Sequence, residues 1–185
     1  MSAFPVVTET GLTGGTPRYE PQWLRDRWGL SIPPEQTVLL TFGGLGLQTV
    51  PYQQLARFTD WQFLTFDQEI PDLPNLIAVP RQGFRPVDVM PICSRVVSKP
   101  GFSTFSEACR LGLPIVTMTR EDFAEGPVLV NAMQDHSWHQ VLSPEEFFQG
   151  TWDFLDQPLQ PPRTDQELAR DGNETIAKAM AEYLF

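Results

Sequence analysis

Short apolar, β-prone runs recur along the chain between glycines and prolines. Residues 38–42 (Val-Leu-Leu-Thr-Phe) form the first and stop at Gly43-Gly44, as a buried parallel strand does on meeting a tight turn. Residues 62–66, 76–79, 95–98 and 115–118 repeat the pattern, and each predicts a strand. Segments with helical spacing lie between them. These are 51–58 with proline in its first turn, 86–93, and 103–111 with Gly112 as a C-cap. Strands alternating with helices from 38 to 134 predict βαβ units, hence an α/β fold with a Rossmann-like, doubly wound parallel sheet. Beyond that, Ser143-Pro144-Glu145-Glu146 opens a helix with Ser143 as N-cap and Glu146 at the capping-box position. Residues 164–184 read as a closing helix. The opening stretch is rich in Pro, Gly and Thr, with one helix predicted near 21–28. The expected organisation is a linker or N-terminal extension over 1–35 and one domain over 36–185.

Composition narrows the function classes. With 185 residues, 41% of them hydrophobic, the chain buries one sizeable core. No apolar run approaches the roughly 20 residues of a membrane helix. The first 17 residues lack the basic start and continuous apolar stretch of a secretory signal, so a cytoplasmic protein is expected. A net charge of −10 repels polyanions at long range and argues against nucleic acid as a partner. It does not argue against a small anion held by backbone N–H groups. Cys93 and Cys109 show no CxxC spacing and read as free thiols.

In a doubly wound sheet, ligands bind beyond the carboxyl ends of the strands. Two loops fall there. Gly43-Gly44-Leu45-Gly46 follows the first strand, and its glycines let backbone approach a ligand, although they serve a tight turn equally well. The second runs Ser98-Lys99-Pro100-Gly101-Phe102-Ser103-Thr104 from a strand end into a helix start. Free N–H groups, two hydroxyls and the positive end of the helix dipole converge there, which suits a diphosphate. Lys99 lies beside it, as a phosphate ligand or as a solvated loop lysine. Glu107, one turn further on, can accept two hydrogen bonds from a vicinal diol such as a ribose. A Ser103 cap with Glu107 merely complementing the dipole is the plainer alternative.

The run Gly101-Phe102-Ser103-Thr104-Phe105-Ser106-Glu107, followed by Ala-Cys-Arg-Leu-Gly-Leu-Pro, resembles the donor-binding signature of GT-B glycosyltransferases. The nearest shape is the group containing the peptidoglycan GlcNAc transferase. Residues 120–127 (Arg-Glu-Asp-Phe-Ala-Glu-Gly-Pro) are worded still more like the glycosyltransferase-like N-terminal region of plant L-arabinokinases. The resemblance covers about residues 36–155 and implies the C-terminal, donor-binding half of such an enzyme. The acceptor-binding half is then missing, and this fragment alone does not turn over. The implied ligand is a nucleoside-diphosphate sugar, UDP-linked, with no metal and no cofactor. Carried over, Gly43, Gly44, Gly101, Phe102, Ser103 and Thr104 cradle the diphosphate, and Glu107 takes the ribose. Gly83 and Phe84 contact the base, and Asp122 and Glu125 contact the sugar. The catalytic base is normally on the other half, as would be any membrane contact. Leu45 stands where relatives carry a small hydroxyl residue, and Pro127 and Val128 replace the acidic or glutamine pair that reads the sugar. The competing reading is a non-catalytic glycosyltransferase-like module binding nucleotide or a partner within a larger sugar-metabolising protein.

Other features carry less. His136 and His139 have the spacing of a metal pair on a helix, but packed or surface histidines account for them as well. Trp23, Trp28, Trp61, Trp138 and Trp152 read as core or domain-interface anchors, and in an excised half some would favour self-association.

Overall fold

A computed structural model describes residues 7–43, 50–120 and 123–184. Its centre is a six-stranded, wholly parallel sheet of β1 (Thr37–Thr41), β2 (Gln62–Thr65), β3 (Leu76–Ala78), β4 (Arg95–Ser98), β5 (Ile115–Met118) and β6 (His139–Leu142), in the order β3-β2-β1-β4-β5-β6. The helices are α1 (Pro21–Arg27), α2 (Pro86–Val89), α3 (Phe102–Leu111), α4 (Gly126–His136), α5 (Pro144–Phe148) and α6 (Gly172–Leu184). Among the described residues, no helix is long and apolar enough to cross a membrane.

Each central strand feeds two cores, because successive side chains point to opposite faces. On one face Leu39, Leu64, Val96 and Ile115 pack with Leu24 of α1, Val89 of α2, Phe105 and Ala108 of α3, and Val130 and Met133 of α4. On the other, Val38, Leu40, Phe63, Val97 and Val116 meet Leu55, Phe147, Trp152 and Leu155. Strands buried on both faces read as continuous apolar runs, which is why the sequence showed them.

Local signals act where they were expected. Gly112 caps α3 in the left-handed conformation (φ +69°), and Ser143 and Glu146 exchange hydrogen bonds at the start of α5. Two expectations change. Residues 52–57 form 3-10 turns rather than an α-helix. The closing helix begins at Gly172, where the Leu12 N–H donates to the Ala169 carbonyl and the Gly172 N–H to the Leu12 carbonyl. Within the stretch expected as a linker, α1 packs on the sheet with Leu24 fully buried. β6 lies beyond the expected strands. Its outer side carries an antiparallel bridge, in which the His139 and Gln160 N–H groups each donate to the other's carbonyl at 2.9 and 2.8 Å.

Leu39 sits at the middle of β1 with no exposed surface, and its replacement by alanine opens a cavity under α1 and α2. L39A should lower stability by about 2–5 kcal/mol, read as a drop in the thermal or urea midpoint. A change within error would mean that this core is loosely packed.

Candidate functional site

The strand order reverses between β1 and β4, where Thr41 pairs with Ser98, and the chain leaves these neighbouring ends by two loops. Such a reversal opens a crevice at the carboxyl edge of the sheet. After β1, Gly43 adopts φ +63°, a conformation that favours glycine. A Cβ placed on Gly43 would lie 3.8 Å from Lys99 Cε, so the two loops are adjacent. Gly44 and Asp122 lie outside the described residues.

After β4, Gly101 holds the N-cap position of α3 in extended conformation, and no side chain caps the helix. The plainer alternative of a Ser103 cap is thereby replaced. Ser103 sits exposed inside the first turn, with Thr104 half-buried beside it. Helix geometry leaves the N–H groups of Phe102, Ser103 and Thr104 without an intrahelical acceptor, at the positive end of the helix dipole. Buried Ser98 ends β4, and its Oγ makes no hydrogen bond among the described residues. Burial and the nearby Arg120 hold the Lys99 ammonium below its usual lysine value. Two cations thus stand at the crevice of a chain whose net charge is −10.

Glu107 lies half-buried further along α3, and its Oε1 accepts the Gly15 N–H at 2.8 Å. Gly83 turns with φ +92° after β3, and its carbonyl accepts both Arg18 Nη2 (2.9 Å) and Tyr19 Oη (2.8 Å). The Phe84 ring is buried against Tyr19 and Trp28, with centroids 5.1 and 5.2 Å away. Trp23, 45% exposed, stacks on Tyr19 and supplies the open aromatic surface nearby. Glu125 is exposed at the N-cap of α4. The structure therefore sets Gly43 beside Lys99, with Gly101 and the first turn of α3 (Phe102, Ser103 and Thr104) following directly along the chain. It also hands Glu107 and the Gly83 carbonyl contacts from an N-terminal strap, residues 13–19, within the stretch expected as a linker.

That strap is anchored by Asp88, whose side chain is fully buried in α2. Asp88 accepts from the Arg18 backbone N–H (3.1 Å), Arg18 Nη2 (2.7 Å), the Arg85 backbone N–H (2.9 Å) and Arg85 Nη2 (2.8 Å). Burial by itself raises the carboxyl's pKa, but the hydrogen bonds from Arg85 and Arg18 outweigh it and hold Asp88 well below the usual carboxylate range. The sequence carries one signal for this anchor, an aspartate inside the apolar run Pro86-Val87-Asp88-Val89-Met90.

His136 and His139 stand on different elements. His136 ends α4, whereas His139 is buried at the start of β6 with Nδ1 2.9 Å from the Ser137 carbonyl. Among the described residues, no group of three or more His, Cys, Asp or Glu is placed to hold a metal ion. Burial pushes the Cys109 thiol up to about 11 and that of Cys93 higher, so neither presents a thiolate near neutral pH.

No known protein family and no curated protein matches the chain in sequence. Among solved structures, it is similar to the glycosyltransferase VinC in complex with dTDP, with a TM-score of 0.49 and 19% identity over 89% of this chain and 44% of that one. It is also similar to the spinosyn forosaminyltransferase SpnP (TM-score 0.48, 17% identity, 76% of this chain and 40% of that one). The glycosyltransferase SnogD from Streptomyces nogalater gives a TM-score of 0.44 at 15% identity, over 79% of this chain and 43% of that one. The chain spans less than half the length of each of the three.

Asp88→Asn should destabilise the fold. Removing one partner of a buried pair costs about 3–5 kcal/mol, and the half-exposed arginines, free to turn to water, bring this to the lower end. Because the folded-state pKa of Asp88 is depressed, its contribution is present above the ordinary aspartate value of 3.8 and is lost as pH falls towards the folded value. Urea midpoints measured between neutral pH and pH 3 should fall with acid more steeply in the wild type than in D88N. Parallel profiles would mean that the pair contributes no acid-sensitive stability.

Proposed function

We propose that this chain is the donor-binding half of a GT-B glycosyltransferase, holding a UDP-linked sugar at the carboxyl edge of its sheet. One observation carries the reading. The Gly43 turn after β1 and the uncapped start of α3 after β4 meet where the strand order reverses, with Lys99 between them and Glu107 on the same helix. A diphosphate fits that arrangement, since N–H groups, the helix dipole and an ammonium supply positive charge without a metal. The run from Gly101 to Glu107 that resembles the donor signature falls on this crevice.

In the proposed reaction an acceptor hydroxyl displaces the diphosphate at the anomeric carbon. The new C–O bond forms as the C–O bond to the diphosphate breaks, and the acceptor's proton passes to a base on the other half. This half stabilises the charge growing on the leaving oxygens through the N–H groups of Phe102, Ser103 and Thr104, the glycine backbone at Gly43, Gly44 and Gly101, and Lys99. Glu107 takes ribose hydroxyls, Gly83 and Phe84 border the base, and Asp122 and Glu125 meet the sugar. Acceptor and sugar specificity belong to the longer protein. A non-catalytic nucleotide-binding module is the second reading. It is favoured by one observation, that the Gly83 carbonyl and one Glu107 oxygen are already satisfied within the chain.

Calorimetric titration with UDP, GDP and ADP tests the site. Saturable binding of one diphosphate, weakened by about tenfold to a hundredfold in Glu107→Ala, is the expected result. The absence of binding by all three would overturn the nucleotide reading.

A further inference from the structure

We propose that Gly15 is a positioning residue of the nucleotide site, its backbone N–H fixing the Glu107 carboxylate so that the second oxygen, Oε2, is held for the ribose diol. The proposal rests on the nucleotide reading above. It begins from an unusually close approach. A Cβ added to Gly15 would lie 2.9 Å from Glu107 Oε1, and one added to Gly14 would lie 2.7 Å from Glu107 Cγ. Both distances are shorter than real Cβ contacts allow, so two consecutive glycines bring backbone onto the Glu107 side chain, with Val87 Cγ1 as close behind Gly15 at 2.9 Å. The bond from Gly15 N–H to Oε1 at 2.8 Å then removes most of the freedom of a long, half-buried carboxylate. Oε2 makes no hydrogen bond among the described residues.

The strap is a wall and not a lid, because it is gripped along its length. Ser106 Oγ donates to the Thr13 carbonyl, and Arg110 Nη1 donates to the carbonyls of Gly14 and Gly15 at 2.8 and 3.1 Å. The Asn173 side chain takes both the N–H and the carbonyl of Gly14. Arg85 donates to the Thr16 carbonyl at 2.7 Å, and Arg18 is locked to buried Asp88. Displacing the strap would strand a buried carboxylate, so a ligand meets Glu107 with Gly15 already in place. A vicinal diol donates two hydrogen bonds to an oriented carboxylate, and a sugar without those hydroxyls leaves its second oxygen unpaired. The strap therefore sets a preference for ribonucleotides.

The test compares UDP, GDP and ADP, each with its 2′,3′-dideoxy counterpart, by calorimetry on the full chain. Wild type should prefer the ribonucleotide on the order of tenfold or more. In Gly15→Ala the new methyl pushes Glu107 aside, and the preference should collapse towards one while the dideoxy affinity, set by the diphosphate, stays. Circular dichroism checks the fold. Should Gly15→Ala fail to fold, Arg110→Met, which releases the Gly14 and Gly15 carbonyls, decides the matter: the preference should fall in R110M and return in R110K. An intact preference in the folded variants, or an equal loss of both affinities, overturns the positioning role and leaves the nucleotide site standing. No binding of any nucleotide to the wild type overturns the nucleotide reading, and the positioning role with it.

Discussion

The structure hangs from a strand whose first four residues are buried. β1 is paired on both edges and covered on both faces, with Val38, Leu39 and Leu40 all without exposed surface. Such a strand tolerates only one register, since a slip of one residue would exchange what the two cores receive. That register also aligns Thr41 with Ser98, and so fixes where the loops after β1 and β4 emerge. The crevice is a by-product of the packing. Parallel strands must all release their chain at the same edge, and the reversal in strand order parts the helices there.

A second constraint couples this edge to the beginning of the chain. Asp88 is a charge placed where desolvation opposes it, and it survives because two guanidiniums and two backbone N–H groups converge on it. Their convergence brings Arg18, and with it the strap, across the ends of α2 and α3. The carboxylate on α3 and the carbonyl of Gly83 then find partners from residues more than sixty positions away. Stability and site geometry thus share one buried anion.

What was legible in the sequence is what local physics determines. Residues 95–98 and 115–118 were apparent as strands because both faces are buried, and Gly112 and Ser143 because caps depend on near neighbours. β6 was hidden by its polar residues. His139 and Gln140 are buried there, with His139 Nδ1 on the Ser137 carbonyl and the Gln140 amide N–H on the carbonyls of residues 154 and 157, partners that a linear pattern does not reveal. The same limit hid the strap. The glycines at 14 and 15 read as linker composition, and their purpose lies against a side chain 92 residues away. Gly43, Gly101 and the start of α3 were placed correctly at the sheet's edge, since strand, glycine and helix follow one another directly in the chain.

The bridge between His139 and Gln160 covers the start of the outer flank of β6 with two hydrogen bonds, and the opposite flank offers the three residues of β3, with Pro80 two residues beyond. Unpaired strand edges are where sheets from separate molecules zip together. With one edge bridged at its first residue and the other only three residues long, the described backbone offers a second sheet little edge to pair with.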